Sequence, residues 1–229
     1  MSAVVPPRTA AGPLEVRELT RVEDGETLHA LLWRAGGRAG SGWRMASSAV
    51  LGGGLGERSR VLNAQVSHGY RRTDPDRHLA ELAAEAGVYG SGVGLMTAAD
   101  VRAYGRAHDG GVHAVATAGL GVRGWAAAPA EGAAGQTPPG TINIVVALPV
   151  ALTDAALVNA VATATEAKVQ ALLEAGYDCS GTPTDAVCVA VRRPGAGAEA
   201  VPFAGPRSVW GARLARAVHG AVRAAAPNP

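Results

Sequence analysis

Lysine is almost missing from this chain. Lys and Arg together number 21 in 229 residues, and Lys168 is the single lysine among them. Asparagine occurs only as Asn63, Asn143, Asn159 and Asn228. Aromatic residues make up 4%, with one Phe. The net charge is +2 without a basic cluster, so nucleic acid binding has no electrostatic footprint. The two cysteines, Cys179 and Cys188, form no C-x-x-C pair and no Cys/His spacing of the metal-binding kind. H-E-x-x-H is absent and the six His form no ligand pattern, so no metal site is expected. No uncharged apolar run reaches the roughly 20 residues that a membrane span needs. The start, MSAVVPPRTAAGPLEV, lacks the basic start and long apolar run of a signal peptide. These absences predict a cytoplasmic, soluble protein with neither nucleic acid nor membrane as partner; homo-oligomerisation stays open.

What is present suits a core. Hydrophobic residues reach 48%, much of it Ala and Val. The Pro/Ala-rich residues 1–13 are expected to be disordered, and one domain is expected over 14–225. LEVRELTRV and TLHALLWRA, joined by EDGE, predict an antiparallel hairpin. Strands are expected at 43–50, 60–68, 112–120, 141–150 and 184–193. Helices are expected at 74–87, 152–176 and 209–225, with Thr153 capping the second and Gly176 stopping it. VGLMTAADVRAYGRAH (93–108) reads as a strand entering a helix, with T-A-A-D as its capping box. The fold class is α/β: a single layered domain with mixed sheets covered by helices.

Polar residues interrupt these apolar elements. In the strand at 141 the period of two puts Thr141 and Asn143 on one face and Ile142 and Ile144 on the other. Asn143 at the start of a central strand needs a partner, in the backbone or in a ligand. Ser47 and Ser48 precede GGG at 52–54, where glycines admit a close backbone approach or a tight bend. The turn has neither Walker spacing nor a G-x-S-x-G elbow. On the long helix Asn159, Thr163, Glu166 and Gln170 form one stripe, which reads as a wet face. Lys168 points about 160° away from Glu166, toward the side of Leu172, where a lysine either snorkels or is paired.

The motifs SSAVLGGGLGERSRVLNAQV, GLMTAADV, VATAGL, GTINIVV, LVNAVATATEAKVQALLEAG and GTPTDAVCVAV, in this order, resemble the adenosylcobinamide amidohydrolase family over about residues 45–225. ATATEAK followed by G-T-x-T-D is the most telling pair. The resemblance implies hydrolysis of the aminopropanol amide of adenosylcobinamide to adenosylcobyric acid, a step of corrinoid salvage. The alternatives are a non-catalytic corrinoid-binding protein and an amidase of the same fold acting on another amide. It implies no organic cofactor, since cobalt arrives with the corrinoid substrate. The catalytic candidates it implies are Glu166 or Asp185 as base, Lys168 at the oxyanion or beside the base, and Thr184 as nucleophile or binding group. For substrate binding it implies Ser48, Gly53, Asn63, Thr97, Thr117, Asn143, Thr163 and Thr182. It would also turn Thr163, Glu166 or Lys168 of the long helix toward the substrate, against the wet-face reading. The family tail G-x-H-T-x-x-G-E-L-I reads GPRSVWGARL here, with Arg207 at the His position and Ala212 at the Glu position.

Overall fold

The structure is a computed structural model that describes residues 14–34, 43–129, 140–194, 197 and 199–227. The segment 1–13 and most of the loops expected at 36–42 and 125–140 lie outside the described residues.

Two mixed sheets face each other. The first has the order β1 (Val16–Glu23), β2 (Glu26–Arg34), β5 (Arg60–Gln65), β6 (Val93–Thr97). The second has the order β4 (Gly54–Arg58), β3 (Trp43–Ser47), β10 (Ala186–Arg192), β9 (Thr141–Leu148), β8 (Val112–Gly119), β7 (Gly105–Asp109). The pairs β5–β6 and β9–β10 are parallel, and the other neighbours are antiparallel. The first hairpin closes as the sequence predicts: Asp24 and Gly25 both take positive φ, 50° and 80°, the requirement of a tight hairpin turn.

Helix α1 (Pro75–Glu85) covers the outer face of the four-stranded sheet, where Leu79, Leu82 and Ala83 meet Leu32 and Leu62. Helices α2 (Asp154–Glu174) and α3 (Val209–Ala225) cover the outer face of the six-stranded sheet. Alanines of α2 and α3 let both helices lie close to Ile142, Ile144, Val146 and Leu148 of β9. Thr153 caps α2 by accepting from the Ala156 N–H at 3.2 Å. Between the sheets the residues are larger: Trp33, Trp43, Met45, Leu95, Val115 and Val145 fill the interior. Strand β9 is therefore buried along its whole length, as a near-continuous apolar run in a covered sheet requires.

Two expectations are corrected. Residues 98–109 are not a helix. Thr97 accepts from the Ala99 N–H and Asp100 from the Arg102 N–H, so the T-A-A-D box closes a turn. The chain then runs into β7, which pairs with β8 from Gly105–Ala116 to Asp109–Val112. A side chain at 105 would strike the backbone of α3 at Ala221 and Ala225, so the edge strand and the helix meet through glycine. The glycine-rich stretch after Ser48 likewise leads into an unexpected strand, β4, on the other edge of the six-stranded sheet.

Candidate active site

The polar residues converge at one end of the sandwich. The register sets Thr117 of β8 beside Asn143 of β9, and Asn143 beside Ala186 of β10. The N-terminal ends of β9 and β10 thus meet the C-terminal ends of β3, β6 and β8. A cavity of about 420 Å³ opens there, lined by Ser48, Thr97, Thr141, Asn143, Thr184 and Asp185 together with apolar neighbours such as Leu95 and Met96.

Behind this wall lies the single lysine. Lys168 is buried, with 7% of its surface exposed, because the helical turn aims it inward while Glu166, two residues earlier, faces solvent. Its ammonium pairs with Asp185 Oδ2. The same carboxylate accepts from the Ile142 N–H at 2.9 Å, the Thr182 N–H at 3.2 Å and the Thr182 hydroxyl. A buried charge is tolerable when paired and hydrogen-bonded in this way. Gly181 makes the approach possible: its φ is +152°, and a Cβ there would overlap both Asp185 Oδ2 and Lys168 Nζ.

Three threonine hydroxyls stand next to the ion pair. The Thr141 and Thr184 Oγ1 atoms are 2.6 Å apart. Thr184 and Thr182 each reach the Gly140 carbonyl oxygen, at 2.9 Å and 2.8 Å. A second polar group spans the two sheets. Asn143 Nδ2 donates to Asn63 Oδ1 at 2.8 Å and to the Met96 carbonyl at 3.1 Å, and Asn63 Nδ2 donates to Thr117 Oγ1 at 3.0 Å. A carbonyl can only accept, so Met96 fixes which way the Asn143 amide faces. Asn143 Oδ1 is left buried without a partner.

The candidates from sequence therefore divide. Ser48, Thr97, Asn143, Thr184 and Asp185 line the cavity. Lys168 and Thr182 support Asp185 from behind, and Asn63 and Thr117 support Asn143. Ser48 also accepts from the Val187 N–H at 3.0 Å, which ties β3 to the start of β10. Three candidates are not brought to the cavity. Glu166 lies exposed on the outer side of α2 beside Thr165, Val169 and Gln170. Thr163 is buried but donates to the Ala204 carbonyl at 2.9 Å, anchoring the segment before α3. Gly53 sits in the turn before β4, where a side chain would strike the Ala49 carbonyl.

The altered tail also lies elsewhere. Arg207 is exposed, and Ser208 caps α3 by accepting from the Gly211 N–H at 3.0 Å. Gly211 packs so closely on Ala204 and Gly205 that it admits no side chain. Two residues of the site, Thr141 and Gly140, had no assignment from sequence. Their available signal was a hydroxyl at the first position of the strongest strand, directly after a glycine.

Residues 15–228 match the adenosylcobinamide amidohydrolase family. An adenosylcobinamide amidohydrolase of Methanosarcina mazei is 32% identical over 185 residues, covering 78% of this chain and 88% of the relative. A protein of the same name from Halobacterium salinarum is 47% identical over 90 residues, 39% of this chain and 37% of its own. The fold is similar to that of the PH0078 protein from Pyrococcus horikoshii, with a TM-score of 0.50 and 14% identity over 95% of this chain and 84% of that one. The chain belongs to the adenosylcobinamide amidohydrolase family.

Proposed function

We propose that this member of the family hydrolyses the aminopropanol amide of adenosylcobinamide, releasing adenosylcobyric acid and aminopropanol in corrinoid salvage, in the cytoplasm. The observation that carries this reading is the buried Lys168–Asp185 pair set behind the threonine hydroxyls of the cavity wall. Amide hydrolysis needs a nucleophile, a route for its proton and donors for the developing oxyanion. The Thr141 and Thr184 hydroxyls are the nucleophile candidates on the cavity wall, and the Lys168 charge lowers the cost of negative charge at this end of the sandwich. A cavity of about 420 Å³ suits the amide arm of the substrate, with the corrin ring at its mouth. Ser48 and Asn143 are the groups within it that would meet an amide's donor and acceptor atoms. The reading uses no organic cofactor or resident metal; cobalt enters as part of the substrate.

Incubation of the protein with adenosylcobinamide, followed by mass spectrometry for aminopropanol and adenosylcobyric acid, tests the proposal. Stoichiometric release of both supports it. Tight corrinoid binding without release would make the protein a binding module. Absence of both would point to another amide.

A further inference from the structure

We infer that Thr141 is the nucleophile of this site, and that the chain arms it by cutting its own Gly140–Thr141 peptide bond. The second half of the inference is a self-processing reaction of the chain; the first half rests on the hydrolase reading given above.

Two side-chain hydroxyls hold the Gly140 carbonyl at the entrance to β9. The Thr182 and Thr184 hydroxyls converge on its oxygen at 2.8 Å and 2.9 Å. Its position is fixed by close packing, since a side chain at 140 would strike the carbonyls of Val122 and Gly119. Two donors aimed at one peptide oxygen form the arrangement that stabilises a tetrahedral centre on that carbonyl. The adjacent hydroxyl belongs to Thr141, whose Oγ1 can reach the Gly140 carbonyl carbon through a five-membered ring. Thr184 has one hydroxyl proton. When that proton goes to the Gly140 oxygen, the Thr184 oxygen is free to accept from Thr141 at 2.6 Å. The three groups then form a closed relay: Thr141 to Thr184 to the Gly140 carbonyl.

The relay balances the reaction without an outside reagent other than water. Thr141 Oγ1 attacks the Gly140 carbonyl carbon, its proton passes to Thr184, and the Thr184 proton passes to the carbonyl oxygen. The product is a neutral tetrahedral centre. As it collapses, the C–N bond breaks and the proton moves to the departing nitrogen. This leaves an ester between Gly140 and Thr141 Oγ1, with a free Thr141 amine. One water then hydrolyses the ester to the Gly140 carboxylate and the Thr141 hydroxyl. Thr182 shares its single proton between Gly140 and Asp185 Oδ1, so it can turn toward Gly140 as charge develops there.

Scission answers a need that the intact site leaves open. Among the described residues, no carboxylate or imidazole is hydrogen-bonded to the Thr141 hydroxyl. Asp185 is already committed to Lys168, Thr182 and the Ile142 N–H. A new N-terminal amine at Thr141 has a pKa of roughly 8 and stands beside its own hydroxyl. An amine so placed is a recognised base for a threonine nucleophile. Thr141 lines the cavity, so the armed group would face the substrate amide.

The test is intact-protein mass spectrometry and N-terminal sequencing of the purified full-length chain, sampled over time, beside the corrinoid assay. The inference expects two associated fragments, 1–140 and 141–229, with Thr141 as the new N-terminus. Thr141→Ala should stay whole and Thr141→Ser should still be cut, which separates lost chemistry from misfolding. Thr184→Val should slow the cut by about 100-fold, the usual effect of removing one such donor. A wild-type chain that stays whole overturns the inference, and if it still releases aminopropanol the proposed function stands without it. A chain that is cut but releases nothing keeps the self-processing and removes the proposed function.

Discussion

The two ends of strand β9 contrast within a single element. Toward its C-terminal end Val146, Ala147 and Leu148 are sealed between the helices and the other sheet. At its N-terminal end the same strand carries Thr141 and Asn143 beside Asp185 and a cavity. One end is finished as core. The other is left open, and its buried polar groups are sustained by mutual hydrogen bonds and the Lys168–Asp185 pair. Buried polar groups cost stability unless they are satisfied, so their concentration at one end singles that end out as the candidate site.

Breaking the ion pair should affect the open end most. Asp185→Ala leaves Lys168 buried and uncompensated, and roughly 3–5 kcal/mol of stability should be lost, read by denaturant unfolding. Turnover on adenosylcobinamide should disappear with it. Lys168→Met keeps the packing of the stem and leaves Asp185 its backbone donors, so it should lose turnover with a smaller loss of stability. Lys168→Arg should also fail, because Gly181 and Asp185 close around a compact ammonium and leave no room for a guanidinium. Next in size is Asn143→Leu. It strands Asn63 Oδ1 and the Met96 carbonyl, which should cost about 1–3 kcal/mol, and it should raise KM if the amide meets the substrate.

The closed end was the more legible in sequence. The alternation in TINIVVAL and the capped helix after it are strong periodic signals, and both appear close to their expected bounds. The open end was legible in its residue types but not in its assembly. Lys168 and Glu166 sit in one motif, and only the helix phase separates a buried ammonium from a solvated carboxylate. Thr163 belongs to the apparent wet stripe yet is buried, because the segment before α3 folds over it and supplies the Ala204 carbonyl. Strand β7 was hidden because its pairing with β8 and its contact with α3 are tertiary, and they override the local capping signal of T-A-A-D. The local signal at Gly140 and Thr141, a hydroxyl opening a strand after a glycine, names no role by itself; that comes from Thr182 and Thr184, which arrive from more than forty residues away.

Smaller effects should sharpen the contrast by their location. Glu166→Ala lies on the solvated side of α2 and should change stability by less than about 0.5 kcal/mol, with turnover on adenosylcobinamide unchanged. His113 on β8 lies away from the cavity. Burial first, then His108 and Arg106, hold its imidazole below the usual range. The unfolded chain binds that proton below pH ~6.5 while the folded chain still resists it, so stability should fall as pH drops from there to the folded value. His113→Gln should flatten this part of a stability-against-pH curve without altering turnover at neutral pH.

If the amide is cut in the cavity at the open end of β9, blocking that cavity must stop release. Ala98 lines that cavity and is half-buried, and its side chain has no part in the proposed chemistry. Ala98→Trp should fill the space that the substrate arm needs. The direct measurement is aminopropanol release from adenosylcobinamide by this variant, with thermal unfolding recorded in parallel. Release should be lost with a nearly unchanged Tm. Wild-type release from a folded Ala98→Trp protein would contradict it.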